Sequence, residues 1–142
     1  MSLTSQNDQL KQQEASLTLT AFVWFCRIIS AFCLYAAVNY WIQLIGLHEG
    51  INNRFDTMPV HWQIAAASLA VLFPVAATGL WMVVSWGPVI WAAAALTETV
   101  MYFVYPGLYG ERPVTLMAHL AVAVLYLAFR LALYLEERKR GN

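Results

Sequence analysis

Residues 19–45 read LTAFVWFCRIISAFCLYAAVNYWIQLI, and this stretch decides the fold. Its only charge is Arg27. It exceeds the ~20 apolar residues that a helix needs to cross the hydrocarbon core of a bilayer. Working outward, three further runs have the same character: Trp62 to Ser85, Val89 to Tyr105 and Thr115 to Leu135. Lipid offers no hydrogen-bond partner to the backbone, so each run must satisfy itself as a helix. The expected fold is therefore all-α, a four-helix transmembrane bundle over residues 18–135. A polar arm (1–17) precedes it and a charged tail (136–142) comes after it. The connections are a polar stretch from Gly46 to His61, a tight Ser85-Trp86-Gly87-Pro88 turn, and Pro106 to Val114.

Composition agrees. Of 142 residues, 61% are hydrophobic and 11% charged, whereas soluble domains carry about 25% charged residues. A chain so poor in charge cannot clothe a domain of this size in a water-facing surface. Eight Lys and Arg balance eight Asp and Glu, which excludes the basic face of a nucleic-acid binder. The apolar content excludes a disordered chain.

The six tryptophans fit interfacial belts. Trp24 and Trp41 lie near opposite ends of the first run, and Trp62 and Trp81 near opposite ends of the second. At about 1.5 Å per residue each pair is roughly 26–29 Å apart, close to the thickness of the hydrocarbon core. Trp86 and Trp91 flank the tight turn. An even number of spans puts both termini on one side. That side carries Lys11, Arg138, Lys139 and Arg140, with Arg27 and Arg130 near its membrane face, against Arg54 and Arg112 opposite. The excess predicts cytoplasmic termini. Residues 1–16 are polar, and the first apolar run is too long for a signal peptide. The expected state of this segment is a disordered or surface-lying arm, with a short partner-docking helix as the alternative.

Few residues could carry chemistry. Cys26 and Cys33 lie seven apart on one face of the first helix, too far to bond, and no CxxC is present. They read as small packing residues. Glu98 stands out as a carboxylate inside the third span, flanked by Thr97 and Thr99. A charge there is costly unless it faces the bundle and finds a partner, so the position reads either as an ion, proton or ligand site or as a structural contact locking the helices. The expected partner is Arg130, whose helix runs inward and tilts its side chain toward Glu98, with Arg27 as second choice. Asn39 and Gln43 share a face of the first helix and could bond across helices.

His48, His61 and His119 all fall on the non-cytoplasmic side, in the same layer as Glu49, Asp56 and Glu111. They form a possible ligand layer for a metal, a haem or a quinone, although no ligand-spacing motif supports one. No metal or other cofactor is assigned. Ala66 and Ala70, Ala128 and Ala132, and Ala92 to Ala95 are small residues suited to close helix packing. Pro74 predicts a kink in the second helix. Tyr102 to Tyr109 reads as an aromatic girdle ended by a Pro-Gly turn, or as an aromatic wall for a ligand.

The layout resembles the small four-helix bacterial inner-membrane proteins of the DoxX-like group and related families of unknown function. The resemblance rests on Arg27-Ile28-Ile29-Ser30-Ala31-Phe32, on Thr78-Gly79-Leu80-Trp81, and on the tight turn into an Ala-rich third helix. Where that group has a glycine-rich first helix, this chain has Ala31, Ala36 and Ala37. The resemblance implies a bacterial inner-membrane accessory protein, in some members tied to redox or thiol homeostasis. Small multidrug transporters also combine four short helices with a membrane carboxylate, but theirs lies in the first helix. No nucleophile–base set, phosphate loop or metal motif points to an enzyme. The expected function is accessory or assembly work through helix–helix partners, a larger complex or a second copy, with lipid around it and no nucleic acid. The alternatives are a small solute or proton-coupled transporter using Glu98, and a haem- or quinone-associated redox subunit.

Overall fold

The computed structural model describes residues 3–46, 59–110 and 112–141. Every regular element among them is helical: α1 (Leu3–Ile45), α2 (Val60–Trp81), α3 (Gly87–Thr99), a π-helical turn (Val100–Val104), α4 (Pro106–Tyr109) and α5 (Pro113–Gly141). Four segments are long and apolar enough to cross a membrane: Leu17–Ile45, Val60–Trp81, Gly87–Val104 and Pro113–Lys139. They match the four runs read from the sequence. This is a small membrane protein by the length and composition of its helices.

Two stretches add helix to the expected spans. The polar N-terminal segment is helical, continuous with α1 from Leu3, and the membrane-length part of that helix begins at Leu17. Nothing in residues 3–16 breaks a helix, since the stretch lacks both Gly and Pro. The Pro106-Gly107 step is not a bare turn but the start of the short helix α4.

The helices end where backbone chemistry requires it. Gly46 comes directly after α1 with φ of 71°, the left-handed conformation that glycine adopts without a Cβ penalty. α2 closes with a Schellman pair, in which Val84 N–H donates to Gly79 O and Val83 N–H to Leu80 O, each at 3.1 Å. The residue in the left-handed position is Val83, with φ of 54°. The turn then brings α3 back against α2 at a glycine–glycine contact. A Cβ on Gly79 would stand 2.6 Å from Gly87 Cα, and one on Gly87 would stand 2.5 Å from Gly79 C.

The core is the α1–α2–α3 layer. α2 is its centre, burying Ala66, Leu69, Ala70, Phe73, Ala76 and Ala77. Ala66 and Ala70 face the packed side as expected, as do Ala94 and Ala95. Ala92, Ala93 and Ala128 are instead exposed, and Ala132, the other member of the pair expected on the last helix, is half-buried. Two side chains of α1 stitch it to α2: Ser30 Oγ donates to Ala77 O at 2.7 Å, and Trp41 Nε1 donates to Ala70 O at 3.1 Å. Pro74, four residues after Ala70, lacks the N–H that would normally use that carbonyl. The Trp41 indole supplies the missing donor. Asn39 does not bond across helices; its Nδ2 donates to Tyr35 O within α1.

α5 lies outside this layer. None of its membrane-length window is buried. It touches α1 through Phe22, Phe25, Tyr126 and Phe129, with ring centroids 5.3–6.0 Å apart. Near the chain termini Thr18 Oγ1 donates to Glu136 Oε1 at 2.8 Å, which brings the start of the first span beside the end of the last. Trp91 departs from the belt pattern: it is 9% exposed and packs edge-on against His119, at 6.0 Å between ring centroids.

Candidate functional site

Glu98 is buried, at 7% exposure, and its two carboxylate oxygens have separate partners. Tyr40 Oη from α1 donates to Oε1 at 2.5 Å, and His119 Nε2 from α5 lies 2.7 Å from Oε2. Three helices therefore converge on one carboxylate. Tyr40 is held in place by stacking on Phe73 of α2, with centroids 5.8 Å apart and planes 11° apart. Glu98 also sits at the last full turn of α3, immediately before the π-helical turn, where Tyr105 N–H reaches back five residues to Val100 O at 3.2 Å. A π turn inserts an extra residue and so rotates the side chains beyond it around the helix axis. Tyr102 and Phe103 then face the same cavity as Glu98.

That cavity has a volume of about 370 Å³ between α3, the π turn and the start of α5. Glu98 and His119 form its polar wall, and Phe103, Pro106, Pro113 and Leu116 form its apolar walls. Arg112 stands at the edge, with its guanidinium carbon 5.5 Å from the centre of the Tyr102 ring. Of the aromatic stretch, Tyr102 and Phe103 line this cavity. Tyr109 goes elsewhere. Its hydroxyl donates to His61 O at 3.0 Å and its ring packs on Trp62, whose Nε1 donates to Leu108 O at 3.2 Å.

The Glu98–Arg130 pair expected from sequence does not form. Arg130 lies in a separate small pocket with Cys26, Val84, Ser85 and Pro88, at the other end of α3. Eleven residues separate it from His119 along α5, roughly 16 Å at 1.5 Å per residue, beyond the reach of an arginine side chain. Arg27, the second choice, is held between two indoles, 5.6 Å from the ring of Trp24 and 5.5 Å from that of Trp81. The partner that sequence reasoning misses is His119, which falls there in one layer with His48 and His61. The signal that finds it is a count from the helix ends: Glu98 lies six residues before Val104, and His119 six after Pro113.

Of the expected histidine layer, the two described members, His61 and His119, line different cavities. His48, Glu49, Asp56 and Glu111 lie outside the described residues. His61 packs on Tyr109, at 5.1 Å between ring centroids, and lines a different, more open groove of about 450 Å³. Among the described residues no group of three metal-ligating side chains comes together.

The arrangement is suited to holding a proton. The carboxylate and the imidazole at 2.7 Å can carry the proton between them on either side, so it can shift without changing the charge of the pair. Tyr40 keeps the second oxygen hydrogen-bonded in both forms.

No curated protein and no solved structure matches the chain. Nothing in these comparisons links it to the DoxX-like group. A family model described as a "Family of unknown function (DUF6163)" matches residues 20–137, which include all three partners of the buried cluster and Arg112. The chain belongs to that family of unknown function, DUF6163.

Proposed function

We propose that this is a small multi-pass membrane carrier, not an enzyme, which binds a polar solute in the Glu98 cavity and moves it together with a proton. The observation that carries this reading is the 2.7 Å contact between buried Glu98 and His119 on the wall of a cavity of about 370 Å³. A carboxylate within a membrane span is costly, and a mere packing contact needs no cavity beside it. A solute that takes over the hydrogen bond from His119 frees Glu98 to bind or release a proton. The other ionisable groups near this pair are Tyr40 and Cys33 on α1, Tyr102 on the π turn, and Arg112 at the cavity edge.

The test uses the purified protein in liposomes that trap a pH-sensitive dye. Neutral, anionic and cationic solutes too polar to cross bare lipid are added outside under an imposed pH gradient. At least one should drive proton movement above that of empty liposomes, and Glu98→Gln should abolish it while Glu136→Gln, at the far end of α5, retains it. No flux with any solute, or equal flux in Glu98→Gln, overturns the reading.

A second reading, an accessory or assembly subunit, draws support from α5, which buries none of its membrane window. A membrane-protein partner or a second copy would cover that helix. Under this reading the gently extracted protein carries a stoichiometric partner into the flux assay and moves nothing without it. The setting we propose for both is a bacterial inner membrane, with cytoplasmic termini inferred from the Lys and Arg distribution.

A further inference from the structure

The geometry points to a specific class of ligand: a small organic monoanion, with a carboxylate head and an apolar body about the size of one ring. The inference rests on reading the Glu98 cavity as a binding site and adds the charge and shape of what enters it. The hydrogen-bond and ion-pair partners of Glu98 among the described residues are Tyr40 and His119, not Arg112. No other carboxylate lines the cavity among the described residues. Arg112 is instead steadied over the face of Tyr102. A guanidinium stacked on a ring still presents its N–H donors at its edge, in the fork geometry that fits a carboxylate.

A cationic ligand would meet Arg112 and find no unpaired carboxylate. A neutral ligand would not answer the positive charge that Arg112 brings to the cavity edge. The apolar body fits against Phe103, Pro106 and Leu116. The volume lies at the lower end of the roughly 300–1,000 Å³ typical of small-molecule pockets, which restricts the body to a small one. Phe103 is exposed where it lines the cavity, so an amphiphile has a lateral way in.

The test is isothermal titration calorimetry on the full chain in phosphatidylcholine nanodiscs, with empty discs subtracted. Benzoate, benzamide and benzamidinium share a ring and differ in charge. Benzoate should bind at least tenfold more tightly than the other two. Arg112→Gln should weaken benzoate at least tenfold, and Arg112→Lys should recover part of that loss. If benzamide or benzamidinium binds as tightly as benzoate, the charge assignment fails while the cavity stands as a binding site. If none of the three binds a protein whose helical circular dichroism is intact, both the inference and the reading beneath it fail. Discs containing phosphatidylglycerol separate two sources of the anion. A benzoate titration shifted to higher concentration there makes a lipid head the competing occupant, and an unshifted one leaves the free acid as the ligand.

Discussion

Val83 occupies the left-handed position that ends α2, with φ of 54°. For a β-branched L-residue this conformation costs about 1–2 kcal/mol, because the Cβ crowds the neighbouring carbonyl. The two hydrogen bonds of the Schellman pair and the glycine–glycine contact behind it hold the residue there. Val83→Gly removes the crowding and gives back part of the gain through a more flexible unfolded chain. The net expectation is a stabilisation of about 1 kcal/mol, or about 3 °C in the midpoint of thermal unfolding in detergent. An unchanged or lowered midpoint would show that Val83 is not strained. Glu98 makes a different point at the same scale. That it needs a buried partner was legible from its charge inside an apolar run, because the cost of an unpaired carboxylate does not depend on the fold. Which partner was not legible from side-chain tilt, since tilt shifts a side chain by a few ångströms and register separates Arg130 from His119 by roughly 16 Å. Tyr40 gives no signal of its own, because a tyrosine near the end of a span reads equally well as an interfacial residue.

At the scale of the element, α2 shows how a helix tolerates a proline within the membrane. The four runs were legible because apolar length is set by bilayer thickness. The way Pro74 is accommodated was not, since it depends on a residue of another helix. Ala70 O, deprived of its helical donor, accepts from the Trp41 indole at 3.1 Å. The same indole that reads as a belt residue in the sequence serves here as a substitute backbone donor. The expectation is coupling between the two positions. Trp41→Phe should cost about 1 kcal/mol beyond its lost contact area, in the range of hydrogen bonds between membrane helices. In a Pro74→Ala background the restored N–H of residue 74 satisfies Ala70 O, and that extra cost should vanish. A double-mutant cycle tracked by unfolding in increasing dodecyl sulfate measures the difference, with the loss of ring area cancelling between backgrounds. Equal costs in both backgrounds would assign Trp41 a packing role alone. The π turn after Glu98 has no comparable sequence signal. It is what turns Tyr102 and Phe103 toward the cavity, and so the shape of the site was hidden although its charged residue was visible.

At the scale of the whole molecule, four spans and the Thr18–Glu136 hydrogen bond put the first and last spans' outer ends side by side. Which face of the membrane they occupy decides where the Glu98 cavity opens. The cavity is bounded by Pro106, Arg112 and Pro113, at the connection remote from the termini. With the termini in the cytoplasm it opens outward, and a carrier would load from outside the cell. The chain allows a direct test, because its two cysteines are buried in α1, at 1% and 3% exposure, and give a quiet background for thiol labelling. Gly107 accepts a Cβ without meeting any atom within 4 Å, so Gly107→Cys reports the cavity side without disturbing it. Lys139 is exposed near the end of α5, so Lys139→Cys reports the other side. A membrane-impermeant maleimide applied to intact spheroplasts should label the cysteine at position 107 and spare the one at 139, which becomes reactive only after lysis. The reverse pattern would turn the cavity toward the cytoplasm and make it a site loaded from within. Labelling of both positions in intact spheroplasts would place the two connections on one face and break the four-span arrangement itself.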